Sequence, residues 1–244
     1  MRFLLLLAVA PGAYIVMHVY KQDKIEKEPI RLIRKLLFAG IISVIPAIIL
    51  EIIGGEVFGV SLEGGASLFL IAIDAFIVTA LVEEGLKYAI LKKFTWNVPD
   101  FDYTFDAIVY SVSVSMGFAI IENIAYVFAN GVGNALLRAV ISVPGHAVFA
   151  IYMGYYYGRA KLSELEGETG RKKKLLKKAL WVPVLLHGFF DFCLMSNSTI
   201  LFLVFLIFIG VLYFLTYKNL KAYSANDVAM YDDIIETEGT DQHA

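Results

Sequence analysis

Seven apolar runs, separated by charged or Gly-rich segments, organise the chain at about 3–20, 36–53, 67–91, 106–129, 135–158, 178–195 and 199–217. Each is close to the roughly 20 residues that an α-helix needs to cross hydrocarbon. The pattern predicts an all-α integral membrane protein, a polytopic bundle of about seven transmembrane helices. The first run follows Arg2, and Ala8-Val9-Ala10 resembles a signal-peptide cleavage site. Too few apolar residues precede that site, however, and the run continues past Pro11-Gly12 to Tyr20, so a retained, kinked span is expected. Residues 1–217 are expected to form one transmembrane domain, and the polar, acidic 218–244 a solvated cytoplasmic tail.

The polar segments between the runs orient the bundle. Segments 21–35, 92–105, 159–178 and the tail after 217 hold 6, 2, 8 and 2 lysines and arginines, whereas the alternate side holds only Arg2 and Arg138. Basic residues collect in cytoplasmic loops, so this alternation predicts an outside N-terminus and a cytoplasmic C-terminus in a multi-pass protein of the cell membrane. The Gly-rich segment 54–66 contains Glu56 and Glu63 but no basic residue.

Composition agrees: 59% of residues are hydrophobic and the mean hydropathy is +0.69. The net charge of −2 gives no footing for a nucleic-acid partner. The single cysteine, Cys193, has no partner for an internal disulfide and reads as a small core residue.

Against this background the charges inside the runs stand out. Glu83, Glu84 and Lys87 interrupt the third, where each charge costs about 2.5–3.5 kcal/mol. Lys87 falls at i+4 from Glu83 and at i+3 from Glu84, within reach of both on a helix. In the fourth run Ser111, Ser115 and Glu122 share a face, followed by Asn123. The fifth carries His146 in Val143-Pro144-Gly145-His146 and a Gly154-x-x-x-Gly158 pattern that marks close helix packing. The sixth carries His187 and Asp191 one turn apart, after Pro183, and a carboxylate so placed fixes an imidazole's tautomer. At 1.5 Å per residue, Glu84, His187 and His146 lie about 12, 13 and 19 Å from the basic ends of their helices. These depths predict one cluster of Glu83, Glu84, Glu122, His146, His187 and Asp191. Its four carboxylates, ionised and alone, would cost about 10 kcal/mol, so water, shared protons or a divalent cation must offset them.

Glu83-Glu84-x-x-Lys87, Phe118-x-x-x-Glu122-Asn123, His146 and His187-x-x-x-Asp191 resemble the PrsW family of intramembrane proteases. Asp23 to Pro29, Phe105-Asp106-Ala-Ile-Val-Tyr110 and Met153 to Gly158 extend the resemblance to about 14–217. The family is similar to the superfamily of CAAX prenyl proteases and bacteriocin-processing enzymes, but Lys87, Glu122 and Asp191 depart from the pattern of those relatives and weigh against prenyl-protein processing. The resemblance implies an endopeptidase in the lipid bilayer acting on a membrane-anchored protein, with site-1 cleavage of an anti-sigma factor as the archetype. Glu83 or Glu84 would activate water, with His187 and Asp191 assisting. Glu122 and His146 would complete the site, with Lys87 and Asn123 in support. A divalent metal such as zinc, held by Glu122, His146, His187 and Asp191, and a metal-independent mechanism are both compatible with these residues. The rival class is a proton- or ion-coupled transporter, whose relays use the same residue types.

Overall fold

The computed structural model describes residues 2–60 and 67–231. Glu63 and the tail from 232 onward lie outside the described residues. The chain runs through α1 (Arg2–Gln22), α2 (Ile30–Phe58), α3 (Leu68–Ile73), a π-helical stretch (Asp74–Ala80), α4 (Leu81–Thr95), α5 (Asp106–Val140), α6 (Ser142–Leu165), α7 (Thr169–Met195) and α8 (Thr199–Ala225). No β-strand occurs among the described residues; Tyr103 and Ala229 form an isolated antiparallel bridge.

Five helical segments are long and apolar enough to cross a membrane: Phe3–Gln22, Ile30–Phe58, Asp106–Leu165, Thr169–Met195 and Thr199–Ala225. The expected spans 106–129 and 135–158 fall together in the third of these. The 67–91 run is not among them, because the π-helical stretch divides it and Asp74, Glu83, Glu84 and Lys87 interrupt its apolar surface. Large apolar side chains cover the outside, as at Ile45, Ile52, Leu185, Ile207 and Phe214. In water such a surface would be a liability; against acyl chains it is the matching solvent.

α5 is the hub. It packs against α1, α2, α4 and α6, and every residue from Asp106 to Ala119 is buried. Small side chains allow this: with no hydrophobic force between helices in lipid, close backbone approach provides the packing. A Cβ on Gly154 or Gly158 would lie 2.5 Å from the Ala107 carbonyl oxygen or 2.3 Å from that of Thr104, so the Gly-x-x-x-Gly pattern seats α6 on α5.

Helix ends follow local chemistry. Ser67 caps α3 by accepting the Leu70 N–H at 3.3 Å, and Gly59 closes α2 in the left-handed region with φ 64°. α5 breaks at Gly131, whose φ of 77° and ψ of −167° are open only to glycine. The sequence places His146 beside a proline break within one span. The structure instead starts a new helix at Ser142 and puts Pro144 in its first turn, where the missing N–H leaves no gap in the ladder.

Helix α8 continues eight residues past 217, to Ala225, so the polar segment begins as helix. Beyond it, the Thr104 N–H donates to the Val228 carbonyl at 3.1 Å and the Met230 N–H to that of Asp102 at 2.7 Å. Asp227 accepts from the Thr104 hydroxyl and the Phe105 N–H, both at 2.8 Å.

Candidate active site

The first turn of α4 places Glu83 and Glu84 on one side of the bundle interior, and Lys87 returns to both, its Nζ 2.8 Å from Glu83 Oε2 and 2.9 Å from Glu84 Oε1. Glu84 and Lys87 are 0% and 1% exposed. The same ammonium lies 3.3 Å from His146 Nδ1 on α6 and 4.2 Å from the centre of the Phe118 ring on α5. The lysine is therefore a hub for three helices, supported by two carboxylates and an aromatic face.

Both imidazoles are held in the same manner. His146 turns Nδ1 inward to Lys87, and its Nε2 meets Glu122 Oε2 at 2.8 Å. His187 turns Nδ1 to Glu84 Oε1 at 3.1 Å, and its Nε2 meets Asp191 Oδ2 at 3.2 Å. The two rings stand edge to face with centroids 5.3 Å apart, and Phe149 stacks on His187. A carboxylate behind each ring fixes which nitrogen faces the centre.

All six residues of the expected cluster thus meet, on α4, α5, α6 and α7. Asn123 stands apart: its Nδ2 donates to the Ala8 carbonyl at 2.9 Å, and its Oδ1 accepts from Arg138 Nε at 3.1 Å. Ser115 donates to the His146 carbonyl at 3.1 Å, joining α5 to α6.

Three participants escaped the sequence reading. Arg138 Nη2 lies 3.1 Å from Glu122 Oε2, although the sequence placed it only as a lone basic residue of the outer side. Glu51 on α2 and Asp74 in the π-helical stretch line the same cavity. Both interrupt apolar runs, so the rule that singled out Glu83 would have found them.

The cavity encloses about 660 Å³. Glu83, Glu122, His146, His187 and Asp191 all face it, whereas Glu84 lies behind them. Glu51, Tyr126, Ser142 and Met195 also line it. Each sits towards the end of its helix that is remote from the basic connections, so the space opens away from those loops. Six carboxylates, Glu51, Asp74, Glu83, Glu84, Glu122 and Asp191, face the cations Lys87 and Arg138 in this region.

Ligand atoms of Glu83, Glu84, His146 and His187 lie within 4.8 Å of one another, and all four residues are buried. Two imidazoles and two carboxylates are a donor set suited to zinc. Glu84 Oε2 is buried without a hydrogen-bond partner. The residue types suit a divalent metal, with Glu122 and Asp191 behind the imidazoles rather than inside the set. The Lys87 ammonium, which touches Glu83, Glu84 and His146, would have to give way to an ion there.

A buried acid–histidine centre at the foot of a cavity, inside a bundle with a lipid-matched exterior, is the architecture of a multi-pass membrane protein that keeps its polar groups inside the bundle. Residues 28–217 match the model of the PrsW family, described as intramembrane metalloproteases. The chain is 36% identical over 220 residues to Protease PrsW of Oceanobacillus iheyensis, covering 90% of this chain and 95% of that one. It is 34% identical over 220 residues to Protease PrsW of Bacillus subtilis (89% and 94%) and 34% over 190 residues to that of Geobacillus kaustophilus (78% and 79%). No solved structure matches it. The chain belongs to the PrsW family of intramembrane proteases and is a peptidase.

Proposed function

We propose that this peptidase cuts a membrane-anchored protein within its own cavity, and that Glu83 is the general base. The observation that carries the reading is the cavity itself: Glu83 reaches it beside both imidazoles, whereas Glu84 is held behind by Lys87 and His187. A water in that space attacks the scissile carbonyl carbon as Glu83 takes its proton. Glu83 then returns that proton to the leaving amine as the C–N bond breaks, while His187, turned by Asp191, supports the developing oxyanion. Lys87 pairs with the two glutamates, while Arg138 pairs with Glu122. Where a divalent metal is bound, Glu83, Glu84, His146 and His187 would hold it, and it would supply a Lewis acid at the scissile carbonyl.

The bundle is read as seven spans, taking α3, the π-helical stretch and α4 together, with the basic loops cytoplasmic. The cavity then opens to the extracytoplasmic side. Family membership favours the peptidase over the transporter, and the substrate proposed by resemblance is an anti-sigma factor. Fragments of membrane proteins are compared in cells carrying wild type or the Glu83→Gln, Glu84→Gln, Glu122→Gln or His187→Ala variant. Single-span proteins cut near their outer border only by wild type support the reading; the same fragments from all four variants overturn it.

A further inference from the structure

A second buried polar cluster lies at the end of the bundle remote from the cavity, where peptide hydrolysis makes no use of it. Asp23 and Glu28 come from the α1–α2 connection, and Asp106 is the first residue of α5. Each offers one oxygen within 4.8 Å of the others, and they are 1%, 4% and 2% exposed. These residues belong to two sequence motifs, Asp23 to Pro29 and Phe105 to Tyr110, that the proposed catalytic chemistry leaves unexplained.

The surroundings give these carboxyl groups hydrogen bonds but no ion pair, and Glu28 and Asp106 also hydrogen-bond to each other. Asp106 Oδ2 accepts the N–H groups of Asp102 at 3.1 Å and Tyr103 at 2.7 Å. Glu28 Oε2 accepts the Tyr110 hydroxyl, which also lies 2.8 Å from the Asp100 carbonyl. Asp23 Oδ2 is buried with no hydrogen-bond partner. The nearby Lys27 spends its Nζ on the carbonyls of Tyr20 and Asp23. Among the described residues, none of the three carboxylates forms an ion pair within 4.0 Å. Three buried carboxylates without a partner cation are costly, and an all-oxygen set without sulfur or imidazole selects a hard ion.

We propose that Asp23, Glu28 and Asp106 form a binding site for a hard divalent cation, Mg2+ or Ca2+, which clasps the α1–α2 connection to the foot of α5. It is separate from the catalytic cavity: Asp106 lies about 24 Å along α5 from Glu122 at 1.5 Å per residue. The ion anchors the hub helix at the end opposite the chemistry.

The test uses the full chain in detergent micelles, stripped with chelator and titrated with Mg2+ or Ca2+ while thermal unfolding is followed. A saturable rise in Tm is expected in wild type and in Glu84→Gln, and its loss in Asp23→Asn and in Glu28→Gln. In chelator, Asp23→Asn should unfold at or above the wild-type temperature, since it removes an uncompensated buried charge. Mn2+ binding followed by electron paramagnetic resonance provides a second measurement, with one fewer bound ion in Asp23→Asn than in wild type. No shift in wild type with either ion, as sharing of protons among the carboxylates would give, overturns the proposal. A shift or Mn2+ count unchanged by Asp23→Asn also overturns it.

Discussion

The outer nitrogen of His187 is 3.2 Å from Asp191 Oδ2, which leaves its inner nitrogen facing Glu84 on another helix. The aspartate therefore acts on the centre through the ring it orients. Asp191→Asn, which keeps the size and an acceptor but removes the charge, should lower kcat about 10- to 100-fold with little change in KM. Steady-state cleavage by the reconstituted enzyme measures this. A loss confined to KM would assign Asp191 to substrate contact instead.

Lys87 pairs with two buried glutamates at once, 2.8 Å from Glu83 and 2.9 Å from Glu84. Lys87→Met leaves buried Glu83 unpaired and Glu84 with only His187, and should cost about 3–5 kcal/mol of stability, the usual penalty for breaking a buried pair from one side. The double variant with Glu83→Gln should recover part of that loss. If the four-residue donor set takes a divalent metal, zinc should raise the Tm of Lys87→Met more than that of wild type. Thermal unfolding with chelator and with zinc separates these outcomes.

Gly131 turns α5 so that Arg138 reaches back to Glu122. Gly131→Ala places a Cβ on a backbone conformation that only glycine adopts, costing about 1–3 kcal/mol, and should loosen the Arg138 contact. Gly133 is helical and faces open space, so Gly133→Ala should be neutral or stabilising by up to about 1 kcal/mol. Tm and cleavage rate of the pair check this: both variants behaving alike would remove the special role of Gly131.

Stability at the remote end should depend on pH. Burial raises the Asp23 carboxyl to about 6, against an opposing pull from Lys27, with Asp227 and Glu26 adding to the rise. Burial likewise raises Glu28 to about 7 against the hydrogen bonds from Tyr110 and Asp106. The folded state therefore holds these protons more tightly than the unfolded chain. Their contribution is complete below about pH 4 and is lost as pH rises through 6 and 7. In chelator, Tm should fall across that window in wild type and fall less in Asp23→Asn; a flat wild-type profile would contradict the assignment.

Most of the bundle is legible in the sequence because each apolar run is close to one bilayer thickness. The ends are less so: α2 begins at Ile30 and ends at Phe58, beyond the run at 36–53, since a helix continues into the interface with side chains that are no longer uniformly apolar. The meeting of Glu84, Glu122, His146 and His187 could be anticipated from depth alone, as helices crossing one slab share a coordinate. Arg138 could not. Its depth depends on a reversal at Gly131, which no periodicity announces. Asp74 was legible, as a lone carboxylate inside an apolar run, but the sequence does not show that the π-helical stretch turns it to the same cavity as Glu83.

The π-helical stretch from Asp74 to Ala80 also sets a phase. One residue per turn more than an α-helix rotates everything before it by about 100° relative to everything after it. Asp74 and Glu83 face the same cavity across that offset. Deleting one residue between them, as Thr79 would allow without touching a charge, would restore regular α-helix and swing the acidic groups out of alignment. The active-site face of this helix is thus tuned by chain length as well as by side-chain identity, and single-residue deletions here should be far more harmful than most substitutions at the same positions.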